Sequence, residues 1–335
     1  MSGMRVLVTG AGGFLGGAFA GAALDDQLQA PVASLRVTAR REQAIARFAQ
    51  KGAQVVVGDL EDAEFCEKAC RGIDAIVHCA GRSGLSAPMK TFAVNISTTR
   101  NMLRAAQRAG VQRFINIGTP SVGFNFRDQE QVREDQIPKR LADNYSRSKL
   151  IAEQEVLAAN SDGLTTLSLR PRFTSGYGET NILGRFARMH AAGRFRRIGD
   201  GQNRVDFTAV GNVVQAIDLA LAATAGRVGG EAFNITNGAP VQLWPFLDSV
   251  MQRLDLGSIP GRTPYAVARM AGAVVEGATR LFGKEPPVSR LGAAIMARTF
   301  TLDIGKARDR LGYMPRQTNE QMTDDFIRWW KETNE

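Results

Sequence analysis

The sequence predicts an α/β fold: a doubly wound parallel sheet of the Rossmann type, followed by a smaller mixed, mainly helical C-terminal lobe. Three observations predict it. Short apolar runs recur at 6–8, 35–39, 54–57, 74–81, 113–117 and 164–169, as expected of strands buried on both faces. Helical stretches separate these runs, and such alternation implies parallel pairing through right-handed crossovers. The first run breaks into Thr9-Gly10-Ala11-Gly12-Gly13-Phe14-Leu15-Gly16, a glycine turn between a strand and a helix. Residues 1–180 are therefore expected to form the doubly wound unit. Residues 181–335 form the second lobe, with some of its segments returning to the first unit.

Composition narrows the function classes. A chain of 335 residues with 44% apolar and 22% charged residues is an ordinary globule large enough for a sizeable core. No uncharged apolar run reaches the length of a spanning helix. Arg5 interrupts the first strand, so no leader pattern precedes the fingerprint. Cys66, Cys70 and Cys79 lack the further Cys or His pair a metal site needs. They read as reduced, buried thiols in a cytoplasmic protein. With His78 and His190 the only histidines, neither a metal centre nor a His-based triad is expected. The net charge of +9 is spread over many helices, which favours an anionic cofactor and substrate over nucleic acid.

Each element in order adds a role. Gly10 can make the tight turn, and Gly13 lets the backbone approach a pyrophosphate. Gly16 lets the helix lie close on the strand, and the helix N-terminus offers N–H donors. The second strand ends in Arg40-Arg41 with no acid before Glu42. An acid there would grip the ribose 2′-OH of NAD(H), whereas Arg accommodates the 2′-phosphate of NADP(H). NADP(H) is favoured; NAD(H), with Arg40 and Arg41 as plain surface charges, stays open. The third strand ends in Gly58-Asp59-Leu60, where Asp59 could reach an adenine amino group. Ala80 and Gly81 close the fourth strand where backbone must pass near a cofactor, and His78 within it reads as a satisfied core histidine. A helix over 92–109 carries Asn95, and the fifth strand runs into Gly118-Thr119-Pro120-Ser121. Residues 125–143 are polar and read as a surface loop. The next helix opens with Tyr145 and Lys149, one turn apart on a single face, and the sixth strand closes with Arg170-Pro171-Arg172. Later helical pieces fall near 181–192, 210–224, 241–254, 262–282 and 317–333, with strand-like runs at 206–208 and 232–235. Residues 264–282 are amphipathic: a packed helix, a lid, or a helix making weak peripheral contact with a membrane.

A phenol is a poor base at neutral pH, but an ammonium one turn away favours phenolate. Tyr145 could then exchange a proton with an alcohol oxygen, and Thr119 could hydrogen-bond the same oxygen.

Taken in order, the fingerprint, Gly58-Asp59-Leu60, Val77-His78-Cys79-Ala80-Gly81, Tyr145-Ser146-Arg147-Ser148-Lys149 and Leu169-Arg170-Pro171-Arg172 resemble the extended short-chain dehydrogenases/reductases. Residues 198–208, 233–238 and 311–313 are similar to signatures of the 3β-hydroxysteroid dehydrogenase-like branch, including its sterol-4α-carboxylate 3-dehydrogenases and 2-alkyl-3-oxoalkanoate reductases. The resemblance implies Tyr145 as acid/base, Lys149 as ribose clamp and modifier of the phenol, and Thr119 as the hydroxyl of the triad. It implies cofactor contacts at Gly10, Gly12, Gly13, Phe14, Leu15, Arg40, Asp59, Leu60, Ala80, Gly81, Tyr145, Lys149 and Pro171. Gly118-Thr119 departs from the family's Ser-Ser, so Ser121 competes with Thr119. Gly176-Tyr177-Gly178 stands where Gly-Pro-Gly is common, which alters the local substrate wall.

The implied reaction interconverts a secondary alcohol and a ketone on a small apolar substrate, a hydroxysteroid or a 3-oxo/3-hydroxy acid, in a homodimer. Arg172 or one of Arg185, Arg188, Arg194, Arg196, Arg197 and Arg204 would hold a carboxylate. The rivals are a nucleotide-sugar epimerase or dehydratase of the same superfamily and a non-catalytic NADP-binding protein. A dehydratase usually carries an Asp-Glu pair where Pro120-Ser121 stands, and an idle site has no chemical need for the Tyr145–Lys149 pair.

Overall fold

The computed structural model describes residues 3–84, 87–280 and 289–334. Its central sheet has strands β1 (Met4–Thr9), β2 (Val32–Ala39), β3 (Gln54–Val57), β4 (Ala75–His78), β5 (Arg113–Ile117), β6 (Thr165–Pro171) and β7 (Glu231–Ile235). They lie in the order β7-β6-β5-β4-β1-β2-β3, all parallel. The period-2 alternation of β1 decides which layer each side chain serves. Val6 and Val8 join a core with Phe19, Val37, Ile115 and Phe233, whereas Leu7 joins Ile76, Met102, Phe114 and Val156 on the opposite face. Helix α1 (Phe14–Leu24) and the helix Val210–Ala222 cover the first face. Helices α2 (Ala63–Cys70), α3 (Met89–Ala109) and α4 (Asn144–Ala158) cover the second. The strand order reverses between β1 and β4, which opens a crevice at their C-terminal ends.

The run at 232–235 is thus the edge strand of the central sheet. The run at 206–208 resolves into short strands Arg204–Val205 and Thr208–Ala209 on either side of the buried Asp206 and Phe207.

Residues 125–143 are more than a surface loop. Gln129–Val132 pairs in parallel with Phe300–Leu302 within a four-stranded sheet that also holds Arg204–Val205 and Val241–Gln242. Phe124, Val132 and Glu134 are buried there. Helices Arg290–Ala297 and Gly305–Leu311 are additions to the expected set. Leu183, Phe195, Trp244, Met251 and Phe326 form a separate core for the C-terminal lobe. The amphipathic stretch forms the helix Tyr265–Arg280; residues 281 and 282 lie outside the described residues. Ala268 and Gly272 face inward, and a Cβ on Gly272 would meet the Ser289 and Arg290 backbone at 2.7 Å. Val267, Met270 and Val274 face outward, 50%, 67% and 73% exposed.

Candidate active site

The crevice is built by close backbone approach. Gly10 takes φ +67°, and a Cβ there would sit 2.8 Å from the Ala80 backbone, so the turn after β1 lies this close to the end of β4 only because residue 10 has no side chain. A Cβ on Gly16 would lie 2.5 Å from the Gly10 carbonyl, which lets α1 seat directly under the turn. No side chain caps α1 at Gly13, and its first turn carries no acid. Its N–H groups and positive dipole end are therefore left for an anion. Gly12 and Gly13 are exposed at this end of the helix. These features fit the pyrophosphate of a dinucleotide. Phe14 and Leu15 open the helix, and Arg40 stands exposed at the end of β2. Asp59 is also exposed and accepts the Glu61 N–H at 3.0 Å, with Leu60 buried beneath it.

Across the crevice, Tyr145, Lys149 and Thr119 converge. Asp143 caps α4 by accepting the Ser146 N–H at 2.8 Å, which sets Tyr145 in the first turn. The Tyr145 hydroxyl is close enough to the Thr119 hydroxyl to feel it electrostatically, and its ring edge meets Phe92 at 5.7 Å between centroids. Lys149 is buried and donates to the Ile117 carbonyl at 2.6 Å. The expected lowering of the phenol by its neighbouring ammonium is not what the fold gives. Burial outweighs the Thr119 hydroxyl and, with Asp143 nearby, pushes Tyr145 up to about 12. Burial also lowers Lys149, opposed by Glu153 and Cys79. Ser121 is placed differently from Thr119: its N–H donates to Thr119 Oγ1 at 3.3 Å, and its hydroxyl faces Arg172.

Asn95, noted in the sequence without a role, ties the two sides together. It accepts the Arg82 N–H at 2.6 Å and donates to the Arg82 carbonyl and to Ser148 Oγ, each at 3.0 Å. The backbone after Gly81 is thereby fixed to the helix bearing Tyr145. A buried amide within a helix was the available signal. His78 is a satisfied core residue between Thr9 at 2.9 Å and Thr99 at 3.1 Å, and burial pushes it down to about 3.

The structure sorts the candidate arginines sharply. Arg185, Arg188, Arg194, Arg196 and Arg204 are exposed, and Arg197 is paired with Asp248. Only Arg172, one residue beyond Pro171 at the end of β6, is buried, at 4% exposure. Its guanidinium stacks on Phe173 at 3.8 Å and lies 5.0 Å from the Phe300 centroid. Among the described residues its single polar contact is Ser121 Oγ at 3.4 Å, and its Nε has no partner. Asp206 is close enough to act on it electrostatically but accepts the Leu302 N–H at 2.8 Å. Burial brings Arg172 down to about 10 and raises Asp206 to about 6.

A doubly wound sheet with an uncapped glycine turn at its switch point defines a dinucleotide-binding protein of the extended short-chain dehydrogenase/reductase class. Residues 7–262 match the 3-beta hydroxysteroid dehydrogenase/isomerase family, and the chain belongs to that family; it is an NAD(P)-dependent oxidoreductase of alcohol and ketone groups. It is 34% identical over 325 residues to a 4-hydroxy-2-methyl-3-oxo-4-farnesyl-3,4-dihydroquinoline-1-oxide ketoreductase of Stigmatella aurantiaca, covering 96% of this chain and 95% of that one. It is 30% identical to a 2-alkyl-3-oxoalkanoate reductase of Stenotrophomonas maltophilia, covering 95% and 97%. Among solved structures, dTDP-glucose 4,6-dehydratase of Streptomyces venezuelae superposes with a TM-score of 0.80 at 23% identity, covering 99% and 98%. That likeness is one of fold.

Proposed function

We propose that this protein is an NADP(H)-dependent reductase interconverting a ketone and a secondary alcohol on an apolar substrate that carries a carboxylate. The observation that carries the reaction type is the convergence of Tyr145 and the Thr119 hydroxyl, with Lys149 one turn below, facing an uncapped glycine turn across the crevice. A bound nicotinamide supplies or accepts the hydride. Tyr145 Oη donates its proton to the substrate oxygen in reduction and takes one back in oxidation. Thr119 Oγ1 fixes that oxygen and stabilises the phenolate left after proton donation. The Ile117 carbonyl holds the Lys149 ammonium in place, where its charge offsets the phenolate and its donors reach towards a ribose.

Arg172 supports the carboxylate. Asp206 offsets the charge of this buried guanidinium without hydrogen-bonding to it, so its desolvation stays costly, and an anion beside Ser121 would complete its hydrogen bonds in fork geometry. Turnover of a 3-oxo acid compared with its methyl ester is the test. The acid should be preferred, and Arg172→Ala should lower kcat/KM for the acid by roughly 10- to 100-fold with little change for the ester. Equal turnover of acid and ester by the unmodified protein overturns the carboxylate assignment.

Arg40 and the missing acid at the end of β2 support NADP(H). NADPH should bind about tenfold tighter than NADH, worth roughly 1.4 kcal/mol, and Arg40→Asp should erode or reverse the preference. Fluorescence titration with both cofactors checks this, and equal affinities in the unmodified protein refute it.

A further inference from the structure

Five non-glycine residues among the described ones have a positive φ. Asp26, Phe126, Gln131 and Asp255 are exposed, whereas Phe173, at φ +39°, is half-buried. A bulky aromatic residue disfavours this left-handed backbone, so its surroundings must enforce it.

Thr208 does so. It is fully buried; its hydroxyl accepts the Arg172 N–H at 3.1 Å and donates to the Arg172 carbonyl at 2.6 Å. Its own N–H donates to the Phe173 carbonyl at 3.4 Å, and Thr174–Ser175 then pairs in parallel with Thr208–Ala209. The consequence is a change of direction. In extended backbone, successive side chains point to opposite faces, which would part Phe173 from Arg172. The left-handed residue instead turns its ring back onto its predecessor, 3.8 Å from the guanidinium carbon to the ring centroid. Contact with Phe207, at 5.5 Å between centroids, accounts for an apolar side chain here but not for a strained one.

Stacking on a ring face leaves the guanidinium edge for hydrogen bonds in its own plane. That edge meets Ser121 Oγ, and the Ser121 N–H donates to Thr119 Oγ1, so the cation is tied to the hydroxyl beside Tyr145. We propose that Phe173 is a positioning residue that sets specificity for the carboxylate: its turned-back ring holds the Arg172 guanidinium edge-on to the site, ready for the anion. The proposal rests on the carboxylate reading above.

The test is the ratio of kcat/KM for a 3-oxo acid to that for its methyl ester. Phe173→Leu, which keeps an apolar group but no ring, should lower this ratio about tenfold, with the loss in KM for the acid. Phe173→Gly suits the left-handed backbone and should lower the ratio as much, because relieving the backbone does not replace the ring. Phe173→Tyr should keep the ratio of the unmodified protein. In an Arg172→Ala background, Phe173→Leu should change the ratio no further, since the ring acts through the guanidinium. NADPH affinity and the circular dichroism spectrum should match the unmodified protein's in every variant. A ratio retained by the Leu and Gly variants, or a further fall of about tenfold in the Arg172→Ala background, overturns the proposal while the carboxylate reading stands. No acid preference in the unmodified protein overturns that reading and the proposal with it.

Discussion

Replacing Tyr145 with Phe should lower turnover about 10²–10⁴-fold and leave cofactor affinity near its original value. The substitution removes the hydroxyl beside Thr119 but keeps the ring against Phe92. The loss should therefore appear in kcat, not in folding. Lys149→Met should damage both kcat and cofactor binding, because the ammonium serves the phenol and the ribose. The pH profile carries the sign. With Tyr145 pushed up to about 12, the phenol is protonated across the neutral range and stands ready as an acid for reduction. Oxidation needs the phenolate, so its rate should climb with rising pH, whereas reduction gains nothing from acidification. Steady-state kinetics in both directions decide the matter; near-normal turnover by the Phe variant would show that another group moves the proton.

Arg170→Met should cost about 3–5 kcal/mol of stability, the largest effect expected away from the reacting groups. Arg170 and Glu153 form an ion pair whose side chains are 5% and 2% exposed. The same carboxylate accepts Ser168 Oγ at 2.7 Å, and Arg170 Nη1 donates to the Glu134 carbonyl at 3.0 Å. Removing the guanidinium leaves Glu153 buried without its hydrogen-bonded countercharge, with only the Lys149 ammonium acting on it electrostatically. Glu153→Leu combined with Arg170→Met should recover part of the loss, because two apolar groups replace the pair together. Urea unfolding measures both, and a single-variant loss below about 1 kcal/mol would show that water reaches the site. The network also explains a departure from the family pattern. A Cβ on Gly118 would lie 2.6 Å from Glu153 Oε2 and 2.7 Å from Ser168 Oγ, so the residue before Thr119 has no room for a side chain.

What could be read from the sequence was whatever local chemistry determines. The apolar runs of β1, β4 and β5, the glycine turn and the Tyr145–Lys149 spacing each follow from a few adjacent residues. Gln129–Val132 was not legible, because Gln-Glu-Gln-Val shows no apolar alternation and its partner strand is distant, with Gln131 bonding Thr301 across 170 residues. The arginines between 184 and 206 looked equivalent in sequence, and only burial separates Arg172 from them. The ionisation of Tyr145 also needed three dimensions. Helical spacing shows the ammonium nearby, whereas the desolvation that dominates comes from the packed surroundings of the hydroxyl.

The placement of β7 at the edge of the central sheet has a consequence for modularity. After β6 the chain leaves for Leu183–Ala191 and returns for Val210–Ala222 and β7. It leaves again for Leu243–Arg253, returns for Gly305–Leu311, and ends in Asn319–Asn334. No single cut separates the two cores. A fragment ending near residue 180 would lack an edge strand and the helix covering Ile115, Leu167 and Leu169, leaving that apolar face open to aggregation. Swapping the C-terminal lobe for a relative's would require several splice junctions, and any opening between the cores must bend all the crossing segments at once.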